Sequence, residues 1–315
     1  MNFRQSIEKN KRITFMVIIT YLLIMTGVGL IADVAVRSVP GIGFVNNIIM
    51  FMTFQKLPVV TLIVSGISLA GVILIYYFGH KMMLSGIDYE LVTRETTDSK
   101  KIMALNVLEE MSISAGLRYI PELYYLESPE LNAFAAGWSE ENALVGVTHG
   151  LLEKLSRSEL QAVIAHEVGH IIHGDTRLTM YVGILENIIL TFTDIFAHLF
   201  YFTGSGKSSK EASIARMVLF ILNLILPLVT KVLYLFLSRT REYMADAAAV
   251  KLTGNNQAMI SALEKISGIN QQVGSAEAET AGNRYRRASY IFSKGDSVFS
   301  THPSIENRIK ALRGQ

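Results

Sequence analysis

The sequence predicts a mainly α-helical protein with a small β-sheet, in which multi-pass membrane helices accompany a soluble unit. Three observations carry that expectation. Half of the 315 residues are hydrophobic and 18% are charged, where soluble globular chains carry roughly 25%, and the mean hydropathy is positive at +0.34. The excess is concentrated in long apolar runs. The rest reads as ordinary soluble protein, with short alternating apolar segments and a helix opened by a strong capping signal. Length suggests about two domains, and the apolar content excludes a disordered chain. The absence of cysteine excludes a disulfide scaffold, a thiolate zinc cluster and a cysteine nucleophile, so any transition metal would depend on His and carboxylates. With 29 basic residues against 27 acidic ones, the charge is too balanced for nucleic acid.

The first apolar run, residues 13–32, carries no charge and has the length of about 20 residues that crosses a bilayer as a helix. It is longer than a signal-peptide core and a second span follows, so it reads as a retained anchor. The second run, residues 59–79, starts after Pro58, contains the small pair Gly66 and Ala70, and ends in Tyr76 and Tyr77, residue types suited to the interface. Between them, residues 44–54 are apolar but too short to span, and are expected as an interfacial or packed segment. Arg4, Lys9, Lys11 and Arg12 precede the first run against one acid, Glu8, which should keep the N-terminus cytoplasmic. Two crossings return the chain to that side near His80, where Lys81, Arg94, Lys100 and Lys101 follow. Residues 1–80 are thus expected to form an N-terminal membrane region.

Residues 81–179 read as the first part of a soluble domain. Helical periodicity covers 102–113, and 119–126, 131–135 and 143–148 read as strands. Ser156 with Glu159 fits a capping box, opening a helix through Leu160, Val163 and Ile164. Residues 180–237 contain two further membrane-associated runs, 180–202 and 217–237, interrupted by Glu186, Asp194 and His198 and by Asn223, Pro227 and Lys231. At helical spacing Glu186, Asp194 and His198 can share a face, where they either line a hydrated route or pair with Lys231. Residues 238–315 are polar again, with a flexible-looking stretch at 271–282 and the basic cluster Arg284, Arg286 and Arg287.

The chemistry is concentrated in A-H-E-V-G-H-I-I-H-G-D. His166 and His170 are one helical turn apart and can bind one metal ion from one face. Glu167 between them can lie beside the metal without ligating it, as a general base toward water. A helix of ordinary polar contacts is the alternative. A catalytic zinc needs a third protein ligand and an open position. His173 is nearest, but its spacing does not match the pattern in which a later His follows a chain-turning Gly. Glu242 in S-R-T-R-E-Y-M-A-D-A is the better candidate. Asp246, one turn on, would accept the second ring N–H of a ligating histidine. Glu242 can meet His166 only if an even number of crossings separates them; two runs satisfy that, and so would none.

With those motifs in view, the chain resembles the HtpX family of membrane zinc metallopeptidases, related to the CAAX prenyl endopeptidases within the gluzincin group. The resemblance extends over N-A-F-A-A-G, G-L-L-E-K-L, E-L-Q-A-V-I-A-H-E-V-G-H, S-R-T-R-E-Y-M-A-D and T-H-P-S-I-E-N-R-I. It implies a zincin-like metalloprotease domain in two parts, 81–179 and 238–315, with one Zn2+ per chain. His166, His170 and Glu242 would be its ligands, Glu167 the general base and Asp246 the supporting aspartate. It also implies that Asn132, Ala133, Phe134 and Ala135 form the edge strand along which substrate lies, which agrees with strand addition through main-chain hydrogen bonds. His302 either stabilises an oxyanion or simply enters the last helix before Pro303. Trp138 reads as packing.

The implied function is a membrane-anchored zinc endopeptidase acting on membrane or misfolded proteins in proteolytic quality control. Its expected location is the cell inner membrane, multi-pass, with the active site cytoplasmic. The partners are protein or peptide substrates and the lipid bilayer, with no nucleic acid. A processing peptidase for a defined, lipidated substrate and a non-catalytic metal-binding membrane scaffold are the alternatives. Glu167 separates the last from the others, since a structural site has no use for it.

Overall fold

The computed structural model describes residues 3–202, 209–235, 240–272 and 303–314. These residues fall into two units: one formed by Phe15–Tyr76 with Ile184–Leu233, the other by Met1–Thr14, Tyr77–Gly183 and Tyr234–Gln315.

In the first unit, most of helix α1 (Phe3–Arg37) and most of helix α3 (Val59–Met82) flank the short α2 (Phe44–Met52). Stretches at 7–37 and 59–82 are long and apolar enough to cross a membrane, among the described residues. Gly29 lets α1 and α3 approach closely, since a Cβ there would lie 2.8 Å from Thr61 Cα. The first turn of a helix leaves amide N–H groups without intrahelical partners. The buried Asp33 of α1 supplies acceptors for α3, at 3.2 Å from Val60 N, 2.8 Å from Thr61 N and 2.7 Å from Thr61 Oγ1. Buried Asn47 of α2 closes the intervening loop, accepting from Val39 N at 2.7 Å and donating to Val39 O at 3.0 Å. The segment expected at 44–54 is thus a helix with Asn47 and Phe51 buried and Val45, Ile49 and Met52 exposed. Helices α7 (Thr176–Phe202) and α8 (Lys210–Leu235) cover the later apolar runs, the second as far as Leu235, with 236 and 237 outside the described residues. Glu186 is half-buried on α7; the side chains of Asp194, His198 and Lys231 lie outside the described set.

The second unit is built on a four-stranded sheet of order β1-β2-β4-β3, from Tyr89–Val92, Glu122–Leu126, Leu144–Thr148 and Ala133–Ala136 respectively. β2 and β4 run parallel, and the outer strands are antiparallel to their neighbours. Three of these were expected; β1, only four residues long and three of them exposed, was not. The β2 strand is shorter than 119–126, beginning only after Pro121, which brings no N–H to a ladder. The register puts Val92, Leu123, Tyr125, Val145, Val147, Ala133 and Ala135 on one face. That face joins a core with α4 (Ser99–Ser114), α6 (Arg157–His173), α9 (Thr240–Thr253) and α10 (Asn256–Gln272).

Helix α6 is fixed at both ends as its sequence dictates. Ser156 N donates to Glu159 Oε2 at 2.8 Å, Glu159 N returns a bond to Ser156 Oγ at 3.4 Å, and Gly174 ends the helix with φ 66°. Burial would raise the Glu159 pKa, but Lys265 and Ser261 of α10, at 2.8 and 2.6 Å, and Ser156 pull it down to about 2. The same carboxylate therefore caps α6 and fastens it to α10. The short α5 (His149–Lys154) and α11 (Ile305–Leu312) complete the unit.

Candidate metal centre

His166, Glu167 and His170 lie on α6, and Glu242 and Asp246 lie one turn apart on α9. The two helices can approach because both are small at the crossing. A Cβ on Gly169 would sit 3.1 Å from Ala248 Cβ and 3.3 Å from Ala245 Cα. The glycine between the two histidines thus sets how far a short Glu242 side chain must reach. We expect Gly169→Val, with two further methyl groups and no room for them, to cost about 1–3 kcal/mol and to weaken zinc binding by pushing Glu242 away. Gly169→Ala should be much milder. Calorimetric unfolding and zinc titration of both variants check this.

One ligand atom from each of His166, His170 and Glu242 lies within 4.8 Å of the others. The imidazole Nε2 atoms are 3.1 Å apart, and Glu242 oxygens lie 3.6 Å from His166 Nε2 and 3.8 Å from His170 Nε2. His166, Glu167 and Glu242 are almost wholly buried, whereas the His170 side chain keeps 13% exposure. The cluster therefore opens toward solvent on the His170 side.

Each histidine is oriented from behind by a carboxylate. Asp246 Oδ1 is 2.9 Å from His166 Nδ1, and both Asp175 oxygens are 3.1 Å from His170 Nδ1. This directs each Nε2 lone pair to the centre. Burial would raise the Asp246 pKa, but Arg308 of α11 and His166 bring it down to about 2. Arg308, completely buried, grips Asp246 with Nε at 2.9 Å and Nη2 at 2.6 Å, and its Nη1 is 3.8 Å from Glu242 Oε2. Its Nη2 is also 3.4 Å from His166 Nδ1. With that nitrogen donating to Asp246, this last approach is a contact between two donors rather than a hydrogen bond.

Three carboxylates (Asp175, Glu242 and Asp246) thus pair with two imidazoles and one guanidinium. Burial lowers the histidine pKa values, yet Asp246 and Glu242 raise that of His166, and Asp175 carries that of His170 up to about 9. Burial pushes the Glu167 carboxyl up, and its two oxygens are buried without a hydrogen-bond partner among the described residues. Buried carboxylate oxygens are rarely left so. Two imidazoles, one carboxylate and an adjacent unsatisfied carboxylate fit a zinc ion with an open position.

The structure separates the remaining candidates. His173, half-buried, turns away, with Nδ1 2.7 Å from Gly169 O. Ala133, Phe134 and Ala135 form most of β3, an outer strand of the sheet that packs beside α6, and Asn132 is buried just before it. Asn132 N donates to Thr148 Oγ1 at 3.0 Å, and the Phe134 ring covers Gly146, where a Cβ would sit 2.4 Å from its Cε1. Trp138 packs edge-on to Tyr181, with ring centroids 5.3 Å apart. His302, the 273–282 part of the flexible-looking stretch, and Arg284, Arg286 and Arg287 lie outside the described residues. Asp175 and Arg308 were not assigned from sequence. Asp175 was signalled only by its place after the helix-ending Gly174, and Arg308 only by being a charged residue on the apolar side of a short terminal helix.

The model of Peptidase family M48 matches residues 103–315. A protease HtpX homolog from Helicobacter pylori (strain Shi470) is 41% identical over 312 residues, covering 99% of this chain and 98% of that protein. One from Dictyoglomus turgidum (strain DSM 6724 / Z-1310) is 35% identical over 317 residues, covering 99% and 94%. The crystal structure of S. mikatae Ste24p matches with a TM-score of 0.45 and 19% sequence identity, covering 84% of this chain and 60% of that one. The matched family region contains His166, Glu167, His170 and Glu242, and the similarity to the protease relatives runs the length of the chain: this protein belongs to peptidase family M48 and is a metallopeptidase.

Proposed function

We propose that the chain is a membrane-anchored zinc endopeptidase that hydrolyses peptide bonds of membrane or misfolded proteins, working in proteolytic quality control from the cytoplasmic side of the inner membrane. The observation that carries the reading is the pairing of a two-histidine, one-glutamate cluster with the buried carboxylate of Glu167, which has no hydrogen-bond partner among the described residues. His166, His170 and Glu242 would hold the zinc, with Asp246 and Asp175 fixing the imidazole tautomers. Held there, zinc would supply a water molecule acidified to a pKa of about 7 and polarisation of the scissile carbonyl.

Glu167 takes the proton of the attacking water and returns it to the departing amine. The open side at His170 admits the substrate. An extended peptide would add to the outer strand β3 through main-chain hydrogen bonds, a mode with little demand on side-chain identity; all four residues of β3 are buried, so what covers this edge must move aside to admit the peptide. A scaffold with a structural metal would leave Glu167 without a role. The apolar stretches at 7–37 and 59–82, with the positive N-terminal segment, support a membrane anchor with the N-terminus cytoplasmic.

The test is cleavage of casein by the full chain in detergent. Chelator dialysis should abolish it and one equivalent of zinc should restore it; cleavage that persists without metal would refute the zinc mechanism.

A further inference from the structure

The turn that follows α6 carries one of the two carboxylates behind the histidine ligands, and part of its support comes from the beginning of the chain. Gly174 stands at φ 66°, a conformation that glycine enters without steric cost but, having no side chain, cannot hold by packing of its own. Asp175 comes next, buried, with both oxygens 3.1 Å from His170 Nδ1. A carboxylate centred on the ring nitrogen in this way leaves it as soon as the turn shifts, and the His170 imidazole is then free to tilt.

The last carbonyls of a helix need partners from outside its own ladder. The turn itself serves two of those in α6: Gly174 N donates to Ile171 O at 3.0 Å, and Asp175 N donates to His170 O at 3.3 Å. His173 O is served from α1, where Asn10 Nδ2 donates to it at 3.3 Å across 163 residues of sequence. Ile7 of α1 lies over the glycine, since a Cβ on Gly174 would sit 3.5 Å from Ile7 Cγ1. Ile7, Asn10 and Thr14 are three and four residues apart and so share one face of α1. Asn10 and Thr14 on that face are buried, and the stretch up to Thr14 belongs to the unit that contains the metal centre.

We propose that Asn10 and Ile7 are positioning residues of the zinc centre: the first turns of α1 clamp the turn from His173 to Asp175 and so keep Asp175 on His170. Asn10 ties down the end of α6, and Ile7 supplies from outside the packing that Gly174 lacks. Neither touches the metal or its ligands; both act through Asp175. The helix that provides the clamp is the one whose apolar stretch at 7–37 is long enough to cross a membrane, so a zinc ligand depends on the helix read as the anchor.

The clamp matters to zinc only if the centre binds zinc, and the full chain in detergent separates the two claims. Asn10→Leu removes the amide at similar volume, Asn10→Gln keeps a donor, and Ile7→Ala bares the glycine turn without removing a hydrogen bond. Lys11→Ala, in an exposed pair with Glu8 on the same helix, is the control. Competitive titration should give Asn10→Leu an about 10-fold weaker zinc affinity, the lower end of what loss of support around a ligating histidine costs. Ile7→Ala should show a smaller loss of the same kind, and Asn10→Gln and Lys11→Ala should stay close to the parent. The visible spectrum of the cobalt(II)-loaded chain, which follows ligand geometry, should change with Asn10→Leu and not with Lys11→Ala. Asp175→Ala should itself weaken zinc binding, and in that background Asn10→Leu should cost nothing further, because residues acting through one contact are not additive. A parent chain that binds no zinc would overturn the zinc reading and the clamp with it. With zinc bound by the parent, an Asn10→Leu chain with a lowered thermal midpoint but unchanged zinc affinity and cobalt spectrum would overturn the clamp alone. Full additivity with Asp175→Ala, or an Asp175→Ala chain that binds zinc as the parent does, would also overturn it.

Discussion

A Glu167→Gln chain is expected to bind one zinc ion with undiminished affinity and to cleave casein about 10²- to 10⁴-fold more slowly than the parent, the span that a positioned general base contributes. The two effects separate because Glu167 stands beside the ligand cluster and not in it. Among the described residues its buried oxygens have no hydrogen-bond partner, so the amide replaces the carboxylate without taking a bond from any ligand. Loss of zinc together with activity would move Glu167 into the ligand set. Substantial residual cleavage by a zinc-loaded variant would remove it from the mechanism.

The second large effect is on stability. Arg308→Met leaves Asp246 buried with its strongest partner gone, and removing one member of a buried ion pair costs about 3–5 kcal/mol. The thermal midpoint should fall by on the order of 10 °C. Arg313→Ala, at the C-cap of the same helix, is the comparison. It breaks an exposed pair with Glu264 at 2.9 Å, whose side chains are 50% and 51% exposed, and such pairs are worth under about 1 kcal/mol. Equal midpoints for the two variants would show that α11 does not brace the centre through Arg308. Because that bond holds Asp246 against His166, Arg308→Met should also lower zinc affinity where Arg313→Ala leaves it unchanged.

The centre was legible where local periodicity determines geometry. The spacing of His166 and His170 forces them onto one turn of a helix, and Ser156, Glu159 and Gly174 announce where that helix starts and stops. Glu242 and Asp246 could be placed on their own helix by the same rule, and the cluster of two histidines with Glu242 is the one the structure assembles. The parts that escaped depend on contacts distant in sequence. Arg308 reaches Asp246 across 62 residues, and no pattern within α11 says which buried anion its guanidinium will meet. Asp175 was overlooked although it is only five residues from His170, because its role depends on the direction the chain takes after a left-handed glycine. The strand β1 is too short for alternation to register, and its pairing with β2 is a tertiary fact. Gly169 shows the reverse case: in sequence it is one unassigned position of the motif, and in the fold it is what lets α9 approach.

The central claim is that His166, His170 and Glu242 share one zinc ion. X-ray absorption on the zinc-loaded chain, in parent and Glu242→Ala forms, tests it most directly. The parent should show two imidazoles and oxygen ligands at about 2.0–2.2 Å, and Glu242→Ala should lose its zinc on dialysis. A three-imidazole spectrum, or zinc retained in full by Glu242→Ala, would contradict the account.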